Sequence, residues 1–459
     1  MNQARTRTLN GEIWRLAIPA IVSNLAVPLL GLSDTTITGH MGSTAYVGAI
    51  AVGAMMINVA FWLFGFLRMG TTGLTAQAFG AHDGAAARRV LTQAFSLAAM
   101  LGAVFILLSR PIGALLLWVI EPDEGVAELA ARYFSICLWG APAMLCVMVL
   151  IGWFLGLQDT VRPMTVSIST AVLNVGASVA FVFGLGMGFE GVAYGTLLAN
   201  WGGLILGLIL ALRFPVRHEL AGGEGKLFDN PLKVLRRGSG LRRFFAVNTD
   251  IFFRSACIMG VSMGVTAIGA RCGALILATN AVMMQFMTLF SYFMDGFAFA
   301  GEALCGRYAG GAAHGMLRRC VMALIKWGGV MAVLFGSIYF LFGREIISLI
   351  TDRPDVMSMA GSFRPWLVAL PPVAVAAFLF DGVFIGLTAT RRMLAATLSA
   401  ACVFFAIVLL VHTDDVWWRN ATLWTAFLAY LLTRGLVLGC LTPGLLREHE
   451  PLPTDNRIL

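Results

Sequence analysis

Several acidic residues lie inside or at the ends of apolar stretches, where a carboxylate must find a partner, take up a proton or hold a cation. The first is Asp34, which closes an apolar run from Ile13 to Gly39. Its position, about 20 residues or ~30 Å of helix past Ile13, leaves two readings open: a titrating or cation-binding group, or a residue solvated at the outer interface. Small polar residues come in pairs one helical turn apart, Asn174 with Ser178 and Thr196 with Asn200, so each pair shares a helix face. In membrane helices such residues glue neighbours together or, converging on an acid, build a proton or cation site.

Further along, Asp250 and Arg254 have the i, i+4 spacing of an internal ion pair. Asp295 and Glu302 share a face and are candidates to pair with Arg254 or Arg307 as a gate or structural charge network. Asp381 follows the apolar run Val373 to Phe380 and has no basic neighbour in sequence. It is a candidate second ion site or a structural acid paired across helices.

Soluble-enzyme chemistry finds no footing. His40, His82, His218, His314, His412 and His449 fall in loops, at span ends or in the tail, without an H-x-x-x-H pair, so no metal centre is expected. A G-x-x-x-x-G-K-[ST] loop is absent, which argues against ATP-driven work within this chain. No C-x-x-C pair exists; Cys137, Cys146, Cys257, Cys305, Cys320, Cys402 and Cys440 read as small packing residues. No cofactor is called for beyond a coupling ion.

The elements that must position these residues are membrane helices. A chain of 459 residues, 59% hydrophobic and only 12% charged, with a mean hydropathy of +0.83, carries more apolar surface than a soluble core can bury. The net charge of +8 resides between apolar segments, so it reports topology and not nucleic-acid binding. Apolar runs predict twelve spans: 13–37, 45–67, 90–109, 132–155, 164–186, 191–213, 246–268, 274–300, 319–342, 363–386, 394–412 and 421–441. The first is too long for a signal-peptide core and reads as a retained helix. With both termini cytoplasmic, most of the 32 Lys and Arg lie inside, including Arg88, Arg89, Arg162, Arg318, Arg319, Arg391 and Arg392.

The two halves repeat one another. G-L-x-x-T-x-R at Gly156–Arg162 recurs at Gly386–Arg392, an offset of 230 residues that also relates Arg88 to Arg318, Pro142 to Pro372, Thr36 to Thr266 and Gly39 to Gly269. A G-x-x-x-G at Gly80/Gly84 has its expected counterpart at Gly306/Gly310 after a short register change. The repeat mate of Asp34 is Gly264, so the acid belongs to one half only. The expected organisation is an all-α polytopic protein with two parallel six-helix lobes, residues 1–213 and 244–441, a cytoplasmic linker at 214–243 and a cytoplasmic tail at 442–459. Substrate sites in such proteins lie at the repeat interface near the midplane.

Leu32-Ser33-Asp34 followed by Gly39-His40, the block LRMGTTGLTAQAFGA from Leu67 to Ala81, MDGFAFAGEA from Met294 to Ala303 and FDGVFIG from Phe380 to Gly386 are recognisable together. The whole chain resembles the multidrug and toxic compound extrusion (MATE) family, in particular its DinF branch. The resemblance implies twelve helices in two lobes around a V-shaped cavity and export of amphipathic, often cationic, compounds in exchange for H+ or Na+. It implies that Asp34 is protonated during the cycle, with Asn174 and Thr196 in its network. Many DinF-like sequences carry an acid where this chain has Ser178, so here one first-lobe carboxylate stands where others have two. A second-lobe cation site, as in other branches, would use Asp381.

The reading is a multidrug antiporter of a bacterial-type inner membrane, monomeric, with small-molecule substrates and membrane lipid as its partners and no nucleic acid. Its main rival is a flippase of a lipid or lipid-linked precursor, which would favour more helices and a basic cavity. An integral-membrane enzyme would need clustered His, Asp or Glu at one membrane face; a passive channel suits two lobes with asymmetric acids less well than alternating access does.

Overall fold

The computed structural model describes residues 2–41, 44–213, 227–230, 238–411, 413 and 415–448. Most of the predicted linker, the tail from residue 449 onward, and His218, His412 and His449 lie outside the described residues. The described chain is helical throughout: α1 (Asn2–Gly39), α2 (Thr44–Trp62), α3 (Phe66–Gly80), α4 (Gly84–Leu107), α5 (Ser109–Ile120), α6 (Glu124–Leu138), α7 (Ala141–Gly156), α8 (Val161–Val179), α9 (Phe189–Leu212), α10 (Gly238–Arg271), α11 (Ala274–Gly310), α12 (His314–Ile350), α13 (Pro354–Ser362), α14 (Arg364–Gly386), α15 (Thr390–Leu410) and α16 (Val416–Glu448).

Among the described residues, ten helices are long and apolar enough to cross a membrane. The bent pair formed by α6 and α7, inclined at 55°, makes an eleventh, and α1 contains the remaining predicted run. The helices outrun the predicted spans at their ends. α11 continues to Gly310 and α12 to Ile350, because a helix keeps satisfying its backbone after its side chains turn polar. The fourth predicted span, 132–155, is broken at Trp139–Gly140; Pro142 next to the break cannot donate to the preceding turn.

Compact packing divides the chain into Ile18–Asn248 and a second unit made of Met1–Ala17 with Thr249–Leu459. In the first unit α3 and α4 pack on α7, α2 on α6, and α9 on both α7 and α8. In the second, α11 and α12 pack on α14, α11 on α13, and α16 on both α14 and α15. The same pairing scheme is thus built twice. Its close crossings recur at the 230-residue offset. A Cβ on Gly152 would fall 2.4 Å from the carbonyl oxygen of Arg68, and one on Gly382 would fall 2.2 Å from that of Ala298. Only a glycine admits the neighbouring backbone at either place. The connecting turns repeat as well, with His82 and Ala312 at φ 54° and 51°, and Gln158 and Thr388 at φ 66° and 52°.

This register corrects one sequence expectation. α3 ends at Gly80 and α11 at Gly310, while α4 starts at Gly84 and α12 at His314. The offset therefore stays at 230, and Gly306/Gly310 are not the structural mates of Gly80/Gly84: the first pair spans the turn between α3 and α4, whereas the second lies within the end of α11.

The opening of α1 is held within the second unit by specific contacts. Tyr308 donates to Glu12 at 3.0 Å, Arg307 approaches the same carboxylate at 3.6 Å, Trp327 donates to Asn10 at 3.2 Å, and Trp14 meets Phe297 and Trp327 edge-on. In the first unit, the short described piece of the linker rests on α4: Asp229 N–H donates to Thr92 at 3.0 Å and Phe228 packs on Phe95. The cysteines are free thiols, with Cys137, Cys146, Cys305 and Cys320 buried and Cys402 and Cys440 exposed.

Candidate functional site

Asp34 sits near the end of α1, 8% exposed, with its Oδ1 buried and without a hydrogen-bond partner among the described residues. A solvated interfacial position does not fit that burial. Tyr133 and Cys137 on α6 lie within electrostatic reach of Asp34. These two, with Ile37 of α1 and Val192 and Ala193 of α9, belong to one apolar cluster. Tyr133 in turn lies near Thr196 on α9.

The hydroxyl of Thr196 donates to the carbonyl of Val192 at 3.2 Å and accepts from Nδ2 of Asn174 on α8 at 2.9 Å. This α8–α9 link depends on small residues at the crossing: a Cβ on Gly195 would fall 2.2 Å from Ser178 Oγ and 2.7 Å from its backbone nitrogen. Two residues after Ser178, α8 gives way to a π turn over Ala180–Gly184, a distortion often found beside functional sites.

Three buried oxygens in this region are left without partners: Asp34 Oδ1, Asn174 Oδ1 and Ser178 Oγ. An unsatisfied buried polar atom costs roughly 1–3 kcal/mol; the Asp381 cluster of the second unit also has such atoms, Arg254 Nε, Asp381 Oδ1 and Arg434 Nε, but there the acid is paired with two arginines. The Asp34 carboxyl oxygen accepts only, as does Asn174 Oδ1, whereas Ser178 Oγ can also donate. A proton added to the carboxyl would turn it into a donor.

Asn200, the second member of the α9 pair, points elsewhere. Its Nδ2 lies 3.0 Å from where a Cβ on Gly140 would stand, and the adjacent Trp201 donates to the Trp139 carbonyl at 3.3 Å. These two residues lie at the α6–α7 bend. Tyr133 was not singled out in the sequence, where it is one aromatic among apolar residues of α6.

The second unit handles its acids differently. Asp381 on α14 is 7% exposed, and its Oδ2 accepts from both Arg254 on α10 and Arg434 on α16. Arg434 also donates to the Tyr430 hydroxyl at 3.3 Å and lies 5.9 Å from the centres of the Phe378 and Tyr430 rings. Asp381 is thus a carboxylate shared by two guanidinium groups brought from helices distant in sequence, which is the cross-helix alternative of the two sequence readings. An acid compensated in this way is a poor ligand for a further cation.

Arg254 therefore reaches Asp381 and not its i, i+4 neighbour Asp250, which instead accepts from Thr390 at 2.8 Å. Arg434 was legible as a lone arginine inside the last apolar run, but nothing nearby in sequence named its partner. Glu302 is buried and Asp295 half-buried, and both are engaged with neighbouring groups; Arg254 donates to Asp381 and Arg307 approaches Glu12. No group of three or more His, Cys, Asp or Glu side chains suited to a metal occurs among the described residues.

A doubled bundle of membrane-spanning helices that buries a carboxyl, Asp34, without an ion-pair partner among the described residues is an arrangement suited to a membrane transporter. A family profile described as MatE matches residues 19–192 and 251–411. The chain belongs to this family, the multidrug and toxic compound extrusion transporters, which are not enzymes, and within it to the DinF branch. It is 39% identical to the DNA damage-inducible protein F of Escherichia coli K12 over 94% of this chain and 91% of that protein. It is 28% identical to a probable multidrug resistance protein NorM of Thermotoga maritima over 76% of this chain and 74% of that one. The fold superimposes on the bent form of the Vibrio cholerae MATE transporter VcmN with a TM-score of 0.82, 17% identity and coverage of 97% and 98% of the two chains. A MOP superfamily transporter from Pyrococcus furiosus gives a TM-score of 0.77 at 18% identity, covering 97% of each chain.

Proposed function

We propose that the protein exports amphipathic, often cationic, organic compounds in exchange for protons by alternating access, and that Asp34 carries the proton. The observation that bears most weight is the contrast in ion pairing between the two buried acids: each has an unpartnered Oδ1 among the described residues, but Asp381 shares its Oδ2 with Arg254 and Arg434, whereas no arginine or lysine among the described residues pairs with Asp34. This favours coupling in the first half and a proton over sodium, since the second-half acid offers no vacant negative charge to a metal ion. Relatives named as multidrug resistance proteins support the substrate class.

In the cycle, protonation of Asp34 from the outer side removes a buried charge and supplies a hydroxyl donor for neighbouring acceptors, Asn174 Oδ1 among them. Tyr133, Thr196 and Asn174 transmit the change between α6, α8 and α9, and the substrate loses affinity and leaves outward. Return to the inward-facing form releases the proton and restores the substrate site. The difference in proton affinity of the two states drives the cycle, and a proton moving down the membrane potential contributes about 2.3 kcal/mol per 100 mV. The protein sits in an inner membrane with both termini cytoplasmic, following the distribution of Lys and Arg. Ser178 leaves Asp34 as the single acid of its site, which implies one proton per cycle there.

The test is transport of a fluorescent cationic dye by proteoliposomes, with pH and sodium gradients imposed separately, comparing wild type with Asp34→Asn. Transport driven by pH alone and lost in the variant is expected. Transport driven by sodium and retained in the variant would overturn the assignment.

A further inference from the structure

A cavity of about 420 Å³ opens in the second unit where the start of α12, Phe380 of α14 and the end of α16 meet. That volume lies within the ~300–1,000 Å³ range of small-molecule sites. Its walls are apolar, with Val321, Ile325, Phe380 and Leu446 among them, and its charge is confined to Arg318 and Arg447. Two features of α16 create the hollow. Gly439 presents no side chain towards Phe380, whose ring lies 3.2 Å from where a Cβ would stand. Pro443 lies inside the helix and cannot donate to the Gly439 carbonyl one turn earlier, so the wall carries a loosened turn.

The arrangement selects an amphiphile. Arg318 and Arg447 are both exposed, and neither forms an ion pair with a carboxylate among the described residues, although Arg392 and Glu448 close by bind each other at 2.5 Å. Met322 and Ile325, on the outward side of the groove, are 61% and 40% exposed, so the surrounding membrane reaches it directly. A cationic export substrate would be repelled by the two arginines, which separates this groove from the transport site. Basic pockets between membrane helices at the level of the lipid headgroups suit anionic phospholipids.

We propose that this groove binds an anionic phospholipid, its phosphodiester on Arg318 and Arg447 and one acyl chain along Ile325 and Phe380. The site is independent of the coupling mechanism at Asp34.

The experiment is native mass spectrometry of the full-length protein in detergent, titrated separately with phosphatidylglycerol, phosphatidylcholine and inorganic phosphate. Wild type should retain phosphatidylglycerol over phosphatidylcholine, and the double variant Arg318→Gln/Arg447→Gln should lose that preference, with phosphatidylglycerol affinity falling on the order of tenfold or more, as expected for two basic residues each contributing about a fivefold factor. Ile325→Trp, which fills the groove and keeps both charges, should weaken retention as well and covers the case in which the double variant does not fold. Equal retention of the two lipids by wild type, unchanged phosphatidylglycerol binding in the variants, or phosphate binding without lipid preference would each overturn the proposal.

Discussion

Asp34 and Asp381 are both aspartates buried in membrane helices, 8% and 7% exposed, yet the chain treats them in opposite ways. Around Asp381 two guanidinium groups converge on one carboxylate oxygen. Around Asp34 no basic side chain among the described residues engages the carboxyl, and the nearby Tyr133, Thr196 and Asn174 are neutral. A compensated charge fixes helices; an uncompensated one can change its protonation state. The duplicated scaffold makes the contrast sharper, because neither acid has an acidic mate at the 230-residue offset: Gly264 stands opposite Asp34, and Ile151 opposite Asp381. Each half has kept the common packing plan and added its own charge.

The comparison is broken most forcefully at Asp381. Asp381→Asn leaves two buried guanidinium groups without their counter-charge, and the expected loss is about 3–5 kcal/mol, read as a large drop in the unfolding midpoint in detergent or failure to accumulate. Replacing Arg254, Asp381 and Arg434 together by Met, Leu and Met should recover much of that stability, because apolar residues need no compensation. A triple variant as unstable as the single one would show that the cluster does more than hold helices.

The shared scaffold gives the next effect. Gly152→Ala and Gly382→Ala each drive a methyl into a backbone carbonyl of the crossing helix, and each should cost ~1–3 kcal/mol. Similar losses in the two variants are expected from matched crossings, and a loss confined to one would mean that the halves do not share this contact energetically.

Within the first-half site, Asn174→Ala removes the 2.9 Å bond to Thr196 and should lower stability by about 1 kcal/mol, while slowing pH-driven transport more than the stability loss explains. Asp34→Asn should have the smallest effect on folding, within about 1 kcal/mol, since the carboxyl has no ion pair among the described residues to lose. It should nevertheless abolish pH-driven transport. Strong destabilisation by Asp34→Asn would place the acid with Asp381 as a structural group and remove the contrast.

The sequence was most informative where one physical demand dominated. Apolar runs of about bilayer length located every long helix, because backbone groups in hydrocarbon must bond within their own segment. The matched motif Gly156–Arg162 and Gly386–Arg392 exposed the duplication, because the turns at Gln158 and Thr388 need the same unusual backbone. Less was legible where helices bend. Trp139–Gly140 breaks the fourth span, whereas Pro372, the mate of Pro142, remains inside the continuous α14. A proline leaves the neighbouring helices to decide between a break and a distortion.

The candidate site divides along the same line. Asp34, Asn174 and Thr196 could be named in advance, since polar residues at helical spacing in apolar runs stand out by type alone. Tyr133 could not, and Asn200, with the same spacing signal as Thr196, lies at the α6–α7 bend. Asp250 and Arg254 have the spacing of an ion pair but take Thr390 and Asp381 instead. Local spacing states which pairs are within reach along one helix. It is silent on a stronger partner arriving from a helix more than a hundred residues away.

By itself, then, the sequence determined that the chain is a duplicated membrane-helix bundle with an acid in only one half at the level of Asp34, because burial of apolar surface and backbone satisfaction are properties each segment carries alone. Tertiary structure decided which acid is neutralised and which is left open. That outcome depends on whether α10 and α16 bring Arg254 and Arg434 to α14, and on the absence of an ion-pair partner for Asp34 among the described residues, facts that belong to the packing of helices and to no single one of them.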